Sequence, residues 1–263
     1  MNTKTKNSRI AQQFDLTGKV AIVTGASKGI GESIARGMAE FGAKVVISSR
    51  NQDAVDAVAT TFQEDGLEAT GIACHVGETE QLQQLVDKTM EKYGRIDIIV
   101  NNAATNPVYA PIDKVESSAF DKIMSVNVKS PFAFANMVYP IMKKQGNGSI
   151  IHISSVAGKR PDDKLGIYSV SKAALIMLAK SQAKEWGRDG IRVNVICPGL
   201  IQTKFSAALW QNEKILKTVE QLLPLRRMAQ PDEMAGLALF LAADASSYCT
   251  GAIFDADGGY LAA

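Results

Sequence analysis

The stretch Thr24-Gly25-Ala26-Ser27-Lys28-Gly29-Ile30-Gly31 decides the predicted fold, because it joins a strand pattern to a helix pattern. An apolar run from Lys19 to Thr24 precedes it, and a helical pattern continues to Phe41. Glycines at such a junction allow a tight turn, a close approach of backbone to pyrophosphate, and a helix N-terminus that faces the phosphates. A plain turn is the alternative, which the strand–turn–helix context disfavours. Dinucleotide contacts are expected at Gly25, Ser27, Lys28, Gly29, Ile30 and Gly31.

Strand and helix patterns alternate through the rest of the chain. Further strands are expected at Lys44 to Ser49, Glu68 to Cys74, Ile96 to Asn101, Ser149 to Ser154, Ile191 to Cys197 and Ala252 to Asp255. Helical windows lie between them, at residues 51–65, 79–93, 117–144, 167–187, 204–222 and 231–242. Several strands are nearly continuous in Val and Ile, which is typical of strands covered on both faces. The pattern predicts an α/β fold with a doubly wound, parallel, seven-stranded sheet and helices on both faces, a Rossmann fold.

The chain is expected to form one domain from residue 16 to residue 263, because no linker or shift in composition divides it. Residues 1–15 are predicted to be a flexible N-terminal tail. Residues 1–13 are polar and contain basic but no acidic side chains, a bias that transit peptides share. A loose terminus is the preferred interpretation, since chain ends are often poorly ordered.

Composition and charge exclude several classes of partner. Hydrophobic residues make up 46% and charged residues 21%, as in ordinary globular proteins. The formal net charge of +2 is too small to indicate a nucleic-acid or anionic-membrane surface. The longest apolar stretch, Ala235 to Ala243, is far shorter than the ~20 residues of a membrane helix. We therefore expect a small-molecule substrate, with no nucleic acid and no membrane partner.

The cysteines and histidines indicate neither a disulfide framework nor a metal site. Cys74, Cys197 and Cys249 are odd in number and far apart, which favours reduced thiols in a cytosolic protein. Only His75 and His152 could supply imidazole ligands, and no Cys/His cluster has metal-site spacing. No metal is expected.

Tyr168 and Lys172 lie in a strongly helical segment, Tyr-Ser-Val-Ser-Lys. At ~3.6 residues per turn they share one helix face, so the ammonium should lie near the phenol oxygen. A nearby positive charge stabilises phenolate, and we therefore expect the pKa of Tyr168 to be lowered toward neutral pH. Ser154 and Ser155 end the fifth predicted strand, and ligands bind at the carboxyl ends of strands in such sheets. Strand alternation favours Ser155 as the residue that faces the ligand.

The residues after the second strand bear on the choice of dinucleotide. An NAD-selective fold usually places an acidic residue there to accept from the ribose 2′-OH. Between Glu40 and Asp53 this chain has no acid, and Arg50 follows the strand instead. Arg50 could pair with a 2′-phosphate, with Lys28 as a second cation, which favours NADP(H) over NAD(H). The alternative is that both side chains only face solvent.

Five motifs together carry a family resemblance. They are Thr24-Gly25-x3-Gly29-x-Gly31, Asn101-Asn102-Ala103-Ala104, Asn127 within Ser125-Val126-Asn127-Val128, Ser155 with Tyr168-x3-Lys172, and Pro198-Gly199-Leu200-Ile201-Gln202-Thr203. In this order they resemble the motifs of the classical short-chain dehydrogenase/reductase family, over about residues 16–260. Ala104 replaces the final glycine of the family's Asn-Asn-Ala-Gly, and His75-Val76 stands where many members have Asp-Val beside the adenine.

The resemblance implies specific roles at the matched positions. Tyr168 would be the acid–base group and Lys172 its support, while Ser155 would hold the substrate carbonyl oxygen. Asn127 would hold a water for proton relay. These four are the expected catalytic residues. Beyond the glycine turn and Arg50, expected cofactor contacts are Tyr168, Lys172, His75, Val76, Asn102, Ala103, Pro198, Gly199, Ile201 and Thr203.

Within the family, Cys74 to Gly77 and Asn102 to Pro107 resemble the NADPH-dependent carbonyl reductase/retinol dehydrogenase-reductase branch. This implies hydride transfer between NADP(H) and a ketone, an aldehyde or a secondary alcohol. Leu165, Phe205 and Trp210 suggest a partly apolar pocket, although each could equally belong to the core or to an interface. A 3-oxoacyl-thioester reductase is the enzyme alternative, since it shares the catalytic residues. A catalytically silent NADP-binding sensor is the alternative from another class, although such proteins commonly lack the tyrosine or the lysine.

Assembly and location are also expectations. The helix from Ile167 to Trp186 is apolar around much of its circumference, which favours packing against a partner chain over simple burial. Members of the family usually form dimers or tetramers through this helix, so a homo-oligomer is expected. Animal members of the branch end in a peroxisomal tripeptide, whereas this chain ends Leu261-Ala262-Ala263. A cytoplasmic enzyme is therefore expected.

Overall fold

The computed structural model describes residues 9–262, without the side chains of residues 208, 209, 214 and 215. Seven strands form one parallel sheet in the order β3-β2-β1-β4-β5-β6-β7. The strands are β1 Val20–Thr24, β2 Lys44–Ser49, β3 Ala69–Ala73, β4 Ile98–Asn101, β5 Gly148–Ile153, β6 Ile191–Pro198 and β7 Ile253–Ala256. The predicted doubly wound sheet is confirmed, and each strand lies within a residue or two of its predicted position.

Helices cover both faces of the sheet. They are α1 Gly29–Glu40, α2 Gln52–Glu64, α3 Thr79–Tyr93, α4 Ser117–Met124, α5 Ser130–Gln145, α6 Gly166–Trp186, α7 Glu213–Leu222 and α8 Ala235–Ala242. One buried cluster packs α1, α2 and α8 on the sheet, and the other packs α3, α5 and α6 on the opposite face. Successive β1 residues alternate between the two clusters, with Val23 in the first and Ile22 in the second. Burial on both faces explains the Val/Ile-rich strands.

The single helix predicted over residues 117–144 is wrong, because a π-helical turn at Ser125–Lys129 interrupts it. Pro131 has no N–H, so it cannot donate to the carbonyl of Asn127 four residues earlier. The Ser130 N–H donates instead to the Ser125 carbonyl, one residue further back than in an α-helix. Because Pro131 cannot donate, the Asn127 carbonyl lacks the N–H that would bond to it in a regular α-helix.

The helix predicted over residues 204–222 is also wrong, because the structure has a short helix, Ala207–Trp210, followed by α7. The Ser206 hydroxyl donates to the Ile201 carbonyl at 2.5 Å, and the Trp210 indole N–H donates to the Thr203 carbonyl at 2.9 Å. These bonds hold the short helix against the segment that follows β6, so the chain cannot continue as one straight helix.

Part of the predicted N-terminal tail, residues 1–8, lies outside the described residues. Arg9–Gln12 form one helical turn, and the Phe14 ring lies 6.5 Å from the Phe240 ring between centroids. In the described part of the chain, every helix is too short or too polar to cross a membrane.

The strand order reverses direction between β1 and β4, which places a crevice at the carboxyl ends of these two strands. β5 and β6 end at the same edge of the sheet, because all the strands are parallel. The segments that follow Thr24, Asn101, Ile153 and Pro198 therefore meet there. These four segments carry the glycine turn, the Asn101 to Ala104 motif, Ser155 and the Pro198 to Thr203 motif.

Candidate active site

The turn after β1 has a geometry that its glycines alone permit. Gly25 and Gly29 have φ values of +65° and +62°, in the left-handed region that other residues rarely adopt. A Cβ added to Gly31 would lie 2.5 Å from Asn102 Nδ2 and 2.5 Å from the Gly25 carbonyl oxygen. The turn is therefore as tight as its sequence predicts.

Thr24 and Asn102 fasten this turn to the end of β4. The Thr24 hydroxyl accepts from the Asn102 N–H at 3.1 Å and the Ala103 N–H at 3.2 Å. The Asn102 side-chain amide donates to the carbonyls of Thr24 and Gly25 at 2.9 and 3.1 Å. Asn102 and Ala103, both predicted cofactor contacts, thus lie directly beside the glycine turn.

The start of α1 fits the phosphates of a dinucleotide. The backbone of Lys28 is extended and its side chain does not cap the helix. The first N–H groups of α1, which have no partner within a helix, are therefore available to a ligand at this end. Gly29 continues this backbone without a side chain, and the Thr203 methyl lies 3.4 Å from where its Cβ would be. Ser27 and Ile30 are partly buried in the same turn. Backbone donors at a helix N-terminus are the usual partners of phosphate oxygens.

Three side chains near the cofactor crevice offer unused donors. Lys28 and Arg50 are exposed, and within residues 9–262 neither makes an ion pair or a side-chain hydrogen bond. His75 Nδ1 accepts from the Gly77 N–H at 3.1 Å, so the neutral ring carries its proton on Nε2. Val76, next to His75, packs against the core on the α3 side of the sheet.

Lys172 is the buried centre of the predicted catalytic group. Its side chain is 2% exposed, and Nζ donates to the Ile153 carbonyl at 2.8 Å. The same Nζ lies 5.6 Å from the centroid of the Tyr168 ring. The Ser154 hydroxyl donates to the Lys172 carbonyl at 2.8 Å, so Ser154 serves the helix and does not face the crevice. The predicted Tyr168–Lys172 juxtaposition is present, anchored by the end of β5.

The expected lowering of the Tyr168 pKa is wrong for this structure. Burial raises the pKa of Tyr168 to about 12, although hydrogen bonding with Ser155 acts in the opposite direction. Burial also lowers the pKa of Lys172 to about 8. The low-polarity setting disfavours the charged form of each group, and this effect outweighs the attraction that the sequence suggests.

Ser155 and Asn127 flank this pair. Ser155 caps a short turn at Val156–Gly158, where its Oγ accepts from the Ala157 N–H at 3.1 Å. Asn127 is 1% exposed, and its Oδ1 accepts from the Thr105 N–H at 2.8 Å. Its Nδ2 donates to the Thr105 carbonyl at 3.0 Å and to the Ser171 hydroxyl at 3.1 Å. The Asn127 side chain thus joins the loop that contains Thr105 (the 105 loop) to Ser171 on α6, which leaves its backbone carbonyl as the group to consider for a water.

The segment after β6 closes the other side of the crevice. The Gly199 N–H donates to the Ala256 carbonyl at 3.0 Å, directly after Pro198, and a Cβ on Gly199 would lie 2.7 Å from Asp257 Cα. The side chain of Ile201 is 2% exposed, so only its backbone is available for the expected cofactor contact. Thr203 lies against the glycine turn, as described above.

Sequence reasoning missed the anchors of these groups. Lys172 is anchored by the backbone carbonyl of Ile153, and no side-chain type in the sequence marks a backbone acceptor. Ser171 accepts from the Asn127 side chain, a contact between distant segments that the sequence does not reveal. Phe205, predicted as a pocket residue, has its ring 6.1 Å from the Tyr168 ring between centroids. In the described residues no group of Cys, His, Asp or Glu side chains could hold a metal ion.

Gly31→Ala should weaken dinucleotide binding by roughly tenfold or more, because its Cβ would push Asn102 and the turn apart. Gly236→Ala is the matched control, since a Cβ there meets no atom within 4 Å. Titration of NADPH fluorescence measures both dissociation constants. An unchanged dissociation constant for a folded Gly31→Ala protein would remove the glycine turn from the cofactor site.

Comparison with known proteins agrees with this geometry. The family model described as Enoyl-(Acyl carrier protein) reductase matches residues 25–261. The chain is 43% identical to rabbit (Oryctolagus cuniculus) Dehydrogenase/reductase SDR family member 4 over 245 residues, which cover 93% of this chain and 94% of that protein.

Solved structures give the same result. A gluconate 5-dehydrogenase from Burkholderia cenocepacia J2315, in complex with NADP and tartrate, has a TM-score of 0.92 and 35% identity, covering 95% of this chain and 98% of that one. A 7α-hydroxysteroid dehydrogenase, complexed with NADH and 7-oxo glycochenodeoxycholic acid, has a TM-score of 0.91 and 36% identity, covering 95% and 96%. With nearly the whole chain matched and the motif residues assembled at one sheet edge, this protein belongs to the short-chain dehydrogenase/reductase family and is an NAD(P)-dependent oxidoreductase.

Proposed function

We propose that this chain transfers a hydride between NADP(H) and a ketone, an aldehyde or a secondary alcohol, with Tyr168 as the acid–base group. One observation carries the proposal. The Tyr168 phenol and the buried Lys172 ammonium lie at the carboxyl end of β5, on the same sheet edge as the glycine turn after β1. A hydride donor on that turn and a proton donor beside β5 are the two components that carbonyl reduction needs.

Each residue has a distinct task in the reductive direction. Bound NADPH supplies a hydride to the carbonyl carbon. Negative charge develops on the carbonyl oxygen, where the Ser155 and Tyr168 hydroxyls donate hydrogen bonds. Tyr168 then transfers its proton to that oxygen, which completes the alcohol, and the Lys172 ammonium stabilises the phenolate left behind. Oxidation follows the same steps in reverse.

The protonation states support Tyr168 as a proton donor. With a pKa of about 12, the phenol holds its proton throughout the neutral range. With a pKa of about 8, Lys172 is mostly charged at neutral pH and loses its charge above it. The Asn127 carbonyl, to which Pro131 cannot donate, is our proposed acceptor for a water that returns protons from solvent.

Tyr168→Phe should lower kcat by about 10³-fold, because it removes the hydroxyl that protonates the carbonyl oxygen. Binding of NADPH should survive, since the ring and its packing on Phe205 are retained. Tyr248→Phe is the control, because Tyr248 is fully exposed. Steady-state rates followed by nicotinamide absorbance measure the effect. Turnover of Tyr168→Phe at the wild-type rate would contradict the assignment.

The preference for NADP(H) rests on Lys28 and Arg50. Both side chains are exposed at the crevice and make no ion pair in the described part of the chain, so their charges are available to a 2′-phosphate. Between Glu40 and Asp53 the sequence holds no acid that would accept from a 2′-OH. The similar gluconate 5-dehydrogenase was solved with NADP, whereas the 7α-hydroxysteroid dehydrogenase was solved with NADH.

Arg50→Asp should raise the dissociation constant of NADPH by about tenfold or more, since a charge-assisted pair is lost and a repulsion is gained. Binding of NADH should weaken less or improve. Arg188→Asp, at an exposed position before the amino end of β6, is the control. Fluorescence titration with both dinucleotides gives the ratio of the NADPH and NADH dissociation constants. An unchanged preference for NADPH would rule out Arg50 as its origin.

The surface beside Tyr168 bears on the class of substrate. The Phe205 ring is 59% exposed beside Tyr168, and it offers an apolar wall to a simple ketone. A 3-oxoacyl-thioester reductase is the second candidate, since the matching family model is named for reduction of an acyl-carrier-protein substrate, although at a C=C bond and not at a carbonyl. A panel of ketones, alcohols and 3-oxoacyl thioesters separates the two. Cofactor binding with no turnover on the panel would instead indicate an NADP-binding sensor.

We also propose that the chain forms a homo-oligomer, a dimer or tetramer, through α6 and α5. Val170 and Met177 on α6 are 47% and 60% exposed, and Phe132 on α5 is 50% exposed. Large apolar side chains gathered on adjacent helices are typical of protein interfaces. Light scattering should give a multimer for the wild type and a smaller particle for Met177→Asp; a monomeric wild type would exclude the interface.

A cytoplasmic location is proposed from the cysteines. Cys74, Cys197 and Cys249 are all unpaired thiols, and the first two are buried. Free thiols are typical of reducing compartments.

A further inference from the structure

His152 and Gln182 form a buried polar pair that the proposed reaction does not use. His152 lies on β5 and is 0% exposed, and Gln182 lies on α6 and is 4% exposed. Their contact joins His152 Nε2 to Gln182 Oε1 at 2.9 Å. Apolar side chains at both positions would avoid the cost of burying polar groups, so the pair needs an explanation.

The hydrogen-bonding roles within the pair follow from its surroundings. Burial lowers the pKa of His152 to about 4, so the ring is neutral at physiological pH. The Gln182 oxygen can only accept, so Nε2 carries the proton and Nδ1 is an acceptor. Asn101 is the register partner of His152 on β4, and its Nδ2 is a buried donor.

The pair lies next to the anchors of the catalytic helix. The residue after His152 is Ile153, whose carbonyl accepts from Lys172 Nζ, and the next is Ser154, whose hydroxyl donates to the Lys172 carbonyl. α6 is thus joined to the end of β5 by three consecutive residues. The first contact reaches Gln182, almost three turns beyond Lys172 along the helix.

The apolar contacts that flank Gln182 on α6 have no preferred direction, so they fix the helix along the strand less strictly than a buried hydrogen bond does. The buried apolar residues nearest to Gln182 are Ala179, Ala183 and Trp186, and the Trp186 ring stacks on Tyr139 of α5. Alanine side chains allow close packing but interlock weakly with neighbouring side chains, so small shifts along the helix axis cost little. A hydrogen bond between two fully buried groups is lost completely by such a shift, which makes it a strong constraint on position.

We propose that His152 and Gln182 are positioning residues, whose hydrogen bond fixes α6 along β5 and so holds Lys172 and Tyr168 in place for catalysis. The kinetic part of this proposal rests on the proposed function. A displacement of about 1 Å in a catalytic group costs about 100-fold in rate. The pair therefore acts on kcat through Lys172 and Tyr168, without touching substrate or cofactor.

Two substitutions of His152 distinguish the roles of its two ring nitrogens. In His152→Gln the side-chain amide reaches the position of Nε2 and can still donate to Gln182 Oε1. In His152→Asn the amide reaches only the position of Nδ1, so the bond to Gln182 is lost while the side facing Asn101 keeps a polar group. We expect kcat within about threefold of wild type for His152→Gln, and a fall of about 10- to 100-fold for His152→Asn. KM and the NADPH dissociation constant should change little in either variant.

The double variant His152→Val/Gln182→Leu keeps the test decisive if His152→Asn does not fold. Removing both partners leaves no orphaned polar group between them, so the protein should fold with a urea midpoint close to wild type. Its kcat should still fall at least about tenfold, because the apolar pair does not fix the position of α6. A double variant with wild-type kcat, or a His152→Asn protein with wild-type kcat, would overturn the proposal.

A structural readout separates this proposal from the proposed function. In a crystal structure of the double variant, we expect Lys172 Nζ to have moved from the Ile153 carbonyl. If the wild type turns over no carbonyl compound, the proposed function fails, yet this distance still decides the positioning role. Lys172 Nζ remaining within 3 Å of that carbonyl in the variant would overturn it, since the wild-type distance is 2.8 Å.

Discussion

The contact between the end of β5 and α6 is the interaction on which the rest of the site depends. Lys172 is a buried ammonium, and a buried charge is tolerated only where hydrogen bonds replace its lost hydration. The Ile153 carbonyl supplies one such bond, and the Ser154 hydroxyl fixes the backbone of the same lysine. Because Lys172 is fixed in this way, the Tyr168 ring one turn earlier is fixed as well, at the edge where the cofactor crevice opens.

The other loops at this edge are held by the same kind of bond, between a side chain and a neighbouring backbone. Thr24 and Asn102 join the glycine turn to β4, and Asn127 joins the 105 loop to α6 through Ser171. Loops at the ends of strands carry no ladder bonds of their own, so these side chains take the place of secondary structure. The site is consequently preorganised by polar groups that do not themselves react.

The fold was predictable because its determinants are local and repeated. Runs such as Val20 to Val23 are apolar on both faces, which indicates a buried parallel strand without knowledge of its neighbours. Tyr168 and Lys172 were predictable as a pair because helical spacing alone brings them together. Arg50 and Lys28 could also be named as candidate phosphate contacts from the sequence, because Arg50 follows β2 and Lys28 lies in the glycine turn.

What escaped prediction depends on contacts between distant segments. The π-helical turn at Asn127 needs both the missing N–H of Pro131 and the partners Thr105 and Ser171, which lie on other elements. The raised pKa of Tyr168 was missed because burial, which spacing does not reveal, outweighs the nearby charge. The break before α7 arises from bonds to the segment after β6, which no helical pattern records.

The most direct test of the account is single-turnover transfer of deuterium from NADPH labelled at both C4 hydrogens to a ketone, by the wild type and by Lys172→Met. We predict that the label appears on the carbinol carbon and that Lys172→Met slows its transfer by about 100-fold or more. Transfer by Lys172→Met at the wild-type rate, or a product without deuterium on that carbon, would contradict the central role of the β5–α6 contact.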